Sequence, residues 1–235
     1  MDHLPLSIPQ SSPKLKVCGL TKLDQITELV SLPVGFLGFI FYEKSPRYVL
    51  NHLRLEDIAK IEQNKKVGVF VNESLDKIIE IATCAKLNFI QLHGDENTLF
   101  IKELRKKLHP EIEIINVIRI GNYEHEINRN LQEIVNAQLS DSNYFLFDTD
   151  SKAFGGTGVT FDWDILNTIK IPLPYFLSGG VSEKNIKNIK NLNQKPIALD
   201  INSKFEMSPG NKDILKIASF KNELDLAIND SFSQS

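Results

Sequence analysis

The chain has 235 residues, of which 42% are hydrophobic and 24% are charged, a composition typical of globular proteins with a large core. It excludes collagen, coiled-coil and disordered chains. A formal net charge of -3 supplies no broad basic surface, so we expect neither nucleic acid nor an anionic membrane as a partner.

The first thirteen residues are rich in Pro and Ser and lack the positive start and apolar stretch of a signal peptide, so we expect a flexible tail over residues 1–13. The longest apolar runs, such as 34–42, are about half the roughly 20 residues that a membrane-spanning helix requires. Two cysteines, Cys18 and Cys84, are too few for a disulfide framework and have no metal-ligand spacing. These features predict a cytoplasmic protein without a metal site.

Eight short apolar segments alternate with segments of helical period from Lys14 to Asn222. Their carboxyl ends are 22 to 31 residues apart, which leaves room for one strand, one loop and one helix in each interval. The predicted strands cover residues 15–18, 35–41, 67–71, 89–93, 114–120, 144–148, 175–179 and 197–201.

Helix signals lie between these strands. Thr21 with Asp24 resembles a capping box. Apolar residues at helical spacing predict buried helix faces in two further segments. These residues are Leu75, Ile78, Ile79 and Ala82 in the first segment, and Ile186, Ile189 and Leu192, after Ser182, in the second.

The predicted fold class is α/β, with a single (β/α)8 barrel over residues 14–222 and a helix end and tail over 223–235. Several strands are apolar nearly throughout, as parallel strands covered on both faces are. Eight such units close most naturally into a barrel, although an open doubly wound sheet has the same local signals. The GxGxxG fingerprint of a dinucleotide-binding fold does not follow the first strand.

In such a barrel the reactive groups gather at the carboxyl ends of the strands. Cys18 ends the first strand in KVCGLT and Asp148 ends the sixth in FLFDTD, so a thiol and a carboxylate are expected over the same mouth. A free cysteine is more often a small buried apolar residue, and that interpretation stays open for Cys18. It is the preferred one for Cys84.

Two glycine-rich loops are candidate phosphate sites. Gly179 and Gly180 follow the seventh strand and precede a predicted helix, whose N-terminus can receive a phosphate. A second segment, FGGTG at 154–158, follows the sixth strand. Either loop alone is equally compatible with an ordinary turn.

Two further side chains stand at strand ends. Arg47, in SPRYV, could form a bidentate pair with a carboxylate, or be an ordinary surface arginine. His93, in QLHGD, is expected to point toward the mouth, although a structural histidine is equally compatible with the pattern.

Together these segments resemble the phosphoribosylanthranilate isomerase family over roughly residues 14–220. The resemblance is carried by six ordered motifs: KVCGLT, GFIFYEKSPRYV, FIQLHGDE, FDTDSKAFGGTGVTFDW, FLSGGVSEKNI and the segment from Asp200 to Glu206. The last motif departs from the family's D-V-S-S-G-V-E, with Asn202 in place of the first serine and Lys204 in place of the glycine. Asn202 can still donate from its amide, whereas Lys204 either adds charge to the phosphate site or points into water.

The resemblance implies an Amadori rearrangement of N-(5'-phosphoribosyl)anthranilate in tryptophan biosynthesis, a phosphorylated small-molecule substrate and no metal, nucleotide or redox cofactor. It implies Asp148 as the general acid that protonates the ring oxygen and Cys18 as the general base that removes the C2′ proton. Arg47 would pair with the anthranilate carboxylate. The other implied substrate-binding residues are Gly179, Gly180, Asn202 and Ser203 at the phosphate, and His93 and Asp200 lining the mouth.

This chemistry needs a protonated Asp148 and a deprotonated Cys18, although their ordinary pKa values, about 3.9 and about 8.5, favour the reverse. We therefore expect a dry mouth to raise the pKa of Asp148, and positive charge or helix dipoles to lower that of Cys18. A monomer is the default expectation, with a homodimer left open.

Three alternatives remain at this point. Indole-glycerol-phosphate synthase uses lysine and glutamate catalysis and has an extra N-terminal helical segment that the thirteen-residue tail is not expected to supply. The aldose isomerases of histidine biosynthesis use two aspartates, unlike the Cys18 and Asp148 pair. A barrel that binds phosphate without turnover is suggested only by Asn202 and Lys204.

Overall fold

Eight parallel strands close into one barrel in chain order, with the eighth strand hydrogen-bonded to the first. The computed structural model describes residues 12–62, 65–121, 127–139, 141–149 and 161–232, excepting the side chains of 127–130 and 229–232. The strands are β1 (Lys14–Val17), β2 (Phe36–Ile40), β3 (Lys65–Phe70), β4 (Phe89–Leu92), β5 (Glu113–Ile120), β6 (Tyr144–Thr149), β7 (Tyr175–Leu177) and β8 (Ala198–Ile201). All eight predicted strands are confirmed within two residues at each end. The pairing of β1 with β8 excludes the open doubly wound sheet.

Helices cover the outside of this barrel. The α-helices are α1 (Leu23–Ser31), α2 (Leu55–Ala59), α3 (Leu75–Cys84), α4 (Thr98–Lys107), α5 (Ile127–Ala137) and α6 (Ile214–Phe232). Short 3₁₀ helices occupy Val49–Asn51, Trp163–Thr168, Ile186–Asn191 and Ser203–Phe205, and a small hairpin is formed by β9 (Glu206–Ser208) and β10 (Asn211–Lys212). Within the described residues, no helix is long and apolar enough to cross a membrane.

Two predicted helix features are corrected. The segment after Ser182 forms a 3₁₀ helix, and its buried residues Ile186, Ile189 and Leu192 are spaced every three residues, which is the 3₁₀ period. The capping box at Thr21 is wrong because α1 begins after Lys22 without a side-chain cap. The Thr21 hydroxyl instead donates to the carbonyl of Gly210, at 2.7 Å.

The predicted apolar face of α3 is confirmed. Ile78 and Ala82 are buried, and the hydroxyl of Ser74 caps the helix by accepting from the backbone N–H of Lys77. Faces of this kind pack against the outer side of the strands and form the larger of two cores.

The smaller core fills the interior of the barrel, and its lower part is a ring of four aromatic side chains. Phe36 lies 5.0 Å from Phe176 and 5.5 Å from Phe89, between ring centroids. Tyr144 completes the ring at 5.8 Å from both Phe89 and Phe176. We call these four residues the aromatic layer. Because side chains alternate along a strand, the next inward positions toward the carboxyl ends must fill the upper interior.

The domain limits of 14–222 and 223–235 stay predictions. Residues 1–11 of the predicted tail lie outside the described residues, as does the FGGTG segment at 154–158.

Candidate active site

Polar side chains fill the barrel interior above the aromatic layer. Lys16 and Asp200 are neighbours across the β1–β8 pair, and both are buried. The backbone N–H of Cys18 continues that ladder, donating to the carbonyl of Ile201 at 2.9 Å. Asp148 lies at the same end of the barrel, one residue from the end of β6. We call Lys16, Cys18, Gln91, His93, Asp148 and Asp200 the polar layer.

A continuous chain of hydrogen bonds crosses this layer from β8 to β6. Lys16 Nζ donates to Asp200 Oδ2 and to Gln91 Oε1, each at 2.8 Å. Gln91 Nε2 lies 2.9 Å from His93 Nδ1. His93 Nε2 lies 3.3 Å from Asp148 Oδ2. The predicted position of His93, facing the mouth, follows from these contacts.

Hydrogen bonds to Asp148 oppose the effect of its burial. Burial raises the pKa of this carboxyl. The hydrogen bond from His93 and the charge of that ring when it is protonated lower the pKa, as do the N–H of Thr149 and the side chain of Ser178. Together these contacts outweigh burial. The net pKa of Asp148 is therefore lowered. The prediction of a raised pKa is wrong because a carboxylate with several donors is stabilised even when it is buried.

The thiol of Cys18 shows the opposite balance. Burial raises its pKa, and the charge of Asp200 adds to this, while Lys16 and Lys212 lower it less. The positive charges that the sequence analysis expected are present, but desolvation of the thiolate outweighs them. The net pKa of Cys18 is raised, which corrects the prediction.

Lys16 is charged in this environment although its side chain is fully buried. Burial lowers the pKa of the ammonium, but the charge of Asp200 and the hydrogen bonds to Asp200 and Cys18 raise it, and the net shift is upward. A buried ion pair of this kind needs the hydrogen bonds that Asp200 and Gln91 supply.

Arg47 reaches the mouth from the loop after β2 and pairs with Glu206. Its Nε donates to both carboxylate oxygens, at 2.9 and 3.0 Å, and its Nη2 donates to Oε2 at 2.6 Å. The Arg47 side chain is 11% exposed and that of Glu206 is 3% exposed. The pairing of Arg47 with a substrate carboxylate stays a prediction. Its guanidinium is already held in place by Glu206.

Lys212 connects this pair to the loop after β8. Its fully buried ammonium donates to Glu206 Oε1 at 2.7 Å and to Asn202 Oδ1 at 2.9 Å. Since the amide oxygen of Asn202 is the acceptor, its Nδ2 is the atom left to donate, as predicted for a phosphate ligand. Gly19 lies against both groups: a Cβ there would stand 2.7 Å from Arg47 Cδ and 2.8 Å from Asn202 Oδ1.

The glycines after β7 have the backbone conformation that glycine permits. Gly179 has φ of 78° and Gly180 has φ of 74°. A Cβ on Gly179 would stand 2.4 Å from Thr149 Oγ1, so this loop packs directly on the residue that follows Asp148. The predicted helix dipole does not reach them, because the 3₁₀ helix begins only at Ile186.

The remaining predicted residues are at the same end of the barrel. Ser203 begins a single 3₁₀ turn, and the side chain of Lys204 is exposed. Among the residues described, no group of three His, Cys, Asp or Glu side chains is arranged to hold a metal ion.

Comparison with known proteins decides the family. A model of the N-(5'phosphoribosyl)anthranilate (PRA) isomerase family matches residues 15–223. The N-(5'-phosphoribosyl)anthranilate isomerase of Parabacteroides distasonis is 37% identical over 209 residues, which are 88% of this chain and 90% of that protein. The chain belongs to the N-(5'-phosphoribosyl)anthranilate isomerase family. The protein of the same name from Trichodesmium erythraeum is 34% identical over 221 residues, covering 87% of this chain and 94% of that protein.

Solved structures of the isomerase family agree with the barrel. The phosphoribosyl anthranilate isomerase of Thermotoga maritima has a TM-score of 0.73 at 28% identity, covering 91% of this chain and 98% of that one. A structure in complex with reduced 1-(o-carboxyphenylamino)-1-deoxyribulose 5-phosphate has a TM-score of 0.69 at 28% identity, covering 88% and 96%. The predicted family and fold class are confirmed.

Sequence reasoning missed four charged or polar residues that organise this isomerase-family site. Lys16 and Gln91 precede Cys18 and His93 by two residues, and the period of a strand places such pairs on one face. That signal was present in KVC and QLH. Glu206 and Lys212 are brought together by the hairpin of β9 and β10, which no sequence pattern indicated.

Proposed function

We propose that this chain catalyses the Amadori rearrangement of N-(5'-phosphoribosyl)anthranilate to 1-(2-carboxyphenylamino)-1-deoxyribulose 5-phosphate, a step of L-tryptophan biosynthesis. Membership of the isomerase family over residues 15–223 supports this reaction. The observation that carries it is the polar layer, in which a thiol and a carboxylate stand at the same barrel mouth and one chain of hydrogen bonds leads from Asp148 to the lysine beside Cys18.

Asp148 acts as the general acid and Cys18 as the general base. Asp148 protonates the furanose ring oxygen, which opens the ring to a Schiff base. Cys18 then removes the proton from C2′, and the resulting enolamine tautomerises to the ketone. Positioned groups of this kind each contribute roughly 10²- to 10⁴-fold in rate.

The shifted pKa values fix how many protons this pair holds. A lowered pKa at Asp148 and a raised pKa at Cys18 give one proton on the pair at neutral pH, on sulfur. The working arrangement also holds one proton, but on the carboxyl group. Turnover therefore needs the proton to move from the Cys18 sulfur to the Asp148 carboxyl group. The total charge of these two residues does not change.

This proton count predicts the pH dependence of kcat/KM, which reports the free enzyme. The acid limb lies below the ordinary pKa of aspartate because the pKa of Asp148 is lowered. The alkaline limb lies above the ordinary pKa of a thiol because the pKa of Cys18 is raised. Initial rates should be measured at every pH at which the protein stays folded. Between the ordinary pKa of aspartate and that of a thiol, neither Asp148 nor Cys18 should produce a limb in kcat/KM. A thiol limb near neutral pH would contradict the assignment.

The substrate is held at both ends. Arg47 pairs with the anthranilate carboxylate, while Gly179, Gly180, Asn202 and Ser203 bind the phosphate. Asp200 binds a ribose hydroxyl through Oδ1, a buried atom with no hydrogen-bond partner in the described part of the chain. His93 lines the mouth beside Asp148.

The fluorescence of phosphoribosylanthranilate provides the test. The intact chain should consume this substrate in catalytic amounts and form a product with the carboxyphenylamino ketose structure. Saturable binding without consumption would favour the phosphate-binding barrel and overturn the proposed activity. We propose that the protein works as a cytoplasmic monomer; light scattering of the purified chain would distinguish a monomer from a homodimer.

A further inference from the structure

We infer that Lys16 and Gln91 are positioning residues that orient the hydrogen bonds of the His93 ring, so that Nδ1 accepts from Gln91 and Nε2 donates to Asp148. The ring geometry stands independently of the reaction, whereas the catalytic purpose of this arrangement rests on the proposed function. His93 is then a fixed donor to the general acid and does not compete with it for the proton.

The argument starts at Lys16, because an ammonium group can only donate hydrogen bonds. Lys16 Nζ lies 2.8 Å from the Gln91 side chain and 2.8 Å from Asp200 Oδ2, and the lysine is completely buried. The atom of Gln91 that faces Lys16 must therefore be the amide oxygen. The flipped amide would turn an NH₂ group toward a buried positive charge.

The orientation of Gln91 then decides the role of His93 Nδ1. With its oxygen on Lys16, Gln91 presents Nε2 to the imidazole, 2.9 Å from Nδ1. An amide nitrogen only donates, so Nδ1 must accept and carries no hydrogen.

The hydrogen of the neutral ring is consequently on Nε2, which lies 3.3 Å from Asp148 Oδ2. A second proton on the ring would have to sit on Nδ1 and face the NH₂ of Gln91. The Asp148 carboxylate receives one hydrogen bond from His93 and another from the N–H of Thr149, which fixes the direction of both oxygens.

Charged groups from four other strands surround the ring, and they must be counted in any titration. Lys16 of β1 acts through Gln91, and Arg119 of β5 donates to the backbone carbonyl of His93. Asp148 of β6 contacts the ring directly, and Asp200 of β8 lies beyond Lys16. The direction of the Gln91 amide, and not the net charge around the ring, therefore decides which ring nitrogen accepts and which donates.

The direct test is the ¹⁵N spectrum of histidine-labelled protein, with the His93 signals assigned by comparison with His93→Asn. We expect Nε2 to carry the hydrogen and Nδ1 to carry none. In Gln91→Glu, a carboxylate replaces the amide and accepts a hydrogen from Nδ1, so Nδ1 should then appear as a protonated nitrogen. The matched control is Gln132→Glu on α5, whose glutamine bonds the backbone of Lys170 far from the mouth. It should leave the His93 signals unchanged.

Kinetics of the same variants test the positioning role. Gln91→Glu should lower kcat by about 10- to 100-fold, less than loss of the acid itself, with KM changed by less than about threefold. If Gln91→Glu fails to fold, Gln91→Met removes the directing amide and should give a mixture of the two neutral tautomers. A wild-type ring protonated on Nδ1, or a Gln91→Met spectrum identical to wild type, would overturn the inference. Absence of turnover in the wild type with the expected spectrum would instead overturn only the proposed function.

Discussion

The aromatic layer and the polar layer lie one above the other in the barrel and share strands β4 and β6, yet they satisfy burial in different ways. Phe36, Phe89, Tyr144 and Phe176 fill the lower interior by edge-to-face contacts between rings. The polar layer fills the upper interior with two carboxylates, a lysine, a thiol, an amide and an imidazole, joined by hydrogen bonds. The comparison teaches that the chemical groups begin one side-chain layer above the aromatic rings, about 7 Å along the strands.

Two lysines make the contrast concrete. Lys16 lies in the upper interior with no exposed surface and is paired with Asp200. Lys65 lies at the other end of the barrel, where its exposed side chain places Nζ 5.3 Å from the ring centroid of Phe89 and 5.9 Å from that of Phe36. We expect the first to matter for both folding and turnover, and the second for neither to a large extent.

The largest expected effect is that of Lys16→Met. Removing one partner of a buried ion pair leaves Asp200 buried without its cation, which costs about 3–5 kcal/mol in the free energy of unfolding. Chemical denaturation measures this loss. The double variant Lys16→Met with Asp200→Leu should regain much of the stability, since an apolar pair can replace a buried ion pair, but should remain inactive. A double variant as unstable as the single one would show that the pair is not an independent unit.

A smaller effect is expected of Gly179→Ala. An alanine at φ of 78° costs about 1–2 kcal/mol, and its Cβ would have to displace Thr149, whose N–H supports Asp148. We expect thermal unfolding to shift modestly while kcat falls, because the displacement reaches the acid. If stability falls but kcat does not change, the loop of Gly179 does not influence Asp148, and this prediction is wrong.

The smallest effect is that of Lys65→Met. An exposed cation over aromatic rings contributes about 0.5–1 kcal/mol, so the free energy of unfolding should fall by no more than that. The steady-state rate constants should match those of wild type within error. A large loss of turnover would contradict the separation of the two layers.

The fold could be predicted from the sequence because each strand is an apolar run and the strand ends are 22 to 31 residues apart, which leaves room for one loop and one helix. The strands with Cys18 and Asp148 could be placed without knowing any long-range contact, because all barrel strands end on one face. The glycine pair Gly179 and Gly180 predicted the turn after β7. The α-helix expected after that turn is a 3₁₀ helix, because apolar residues spaced every three positions were interpreted as the face of an α-helix.

The electrostatics of the site could not be predicted in the same way. Residue types indicated an acid and a base, whereas the pKa directions depend on which groups lie within hydrogen-bonding distance. His93, Thr149 and Ser178 lower the pKa of Asp148, and two of these come from other strands or the loops that follow them. Glu206 and Arg47 are 159 residues apart, so no local sequence pattern could predict their contact.

Turnover by Cys18→Ser and Asp148→Asn is the most direct test that these two residues perform the chemistry. The account predicts that each variant loses about 10²- to 10⁴-fold in kcat, measured by the disappearance of phosphoribosylanthranilate fluorescence, while keeping the thermal transition of wild type. Cys84, expected from the sequence to be buried, is exposed on α3, as is Asp76. Cys84→Ser and Asp76→Asn are therefore the matched controls and should keep full activity. A Cys18→Ser or Asp148→Asn protein that turns over at the wild-type rate would contradict the account.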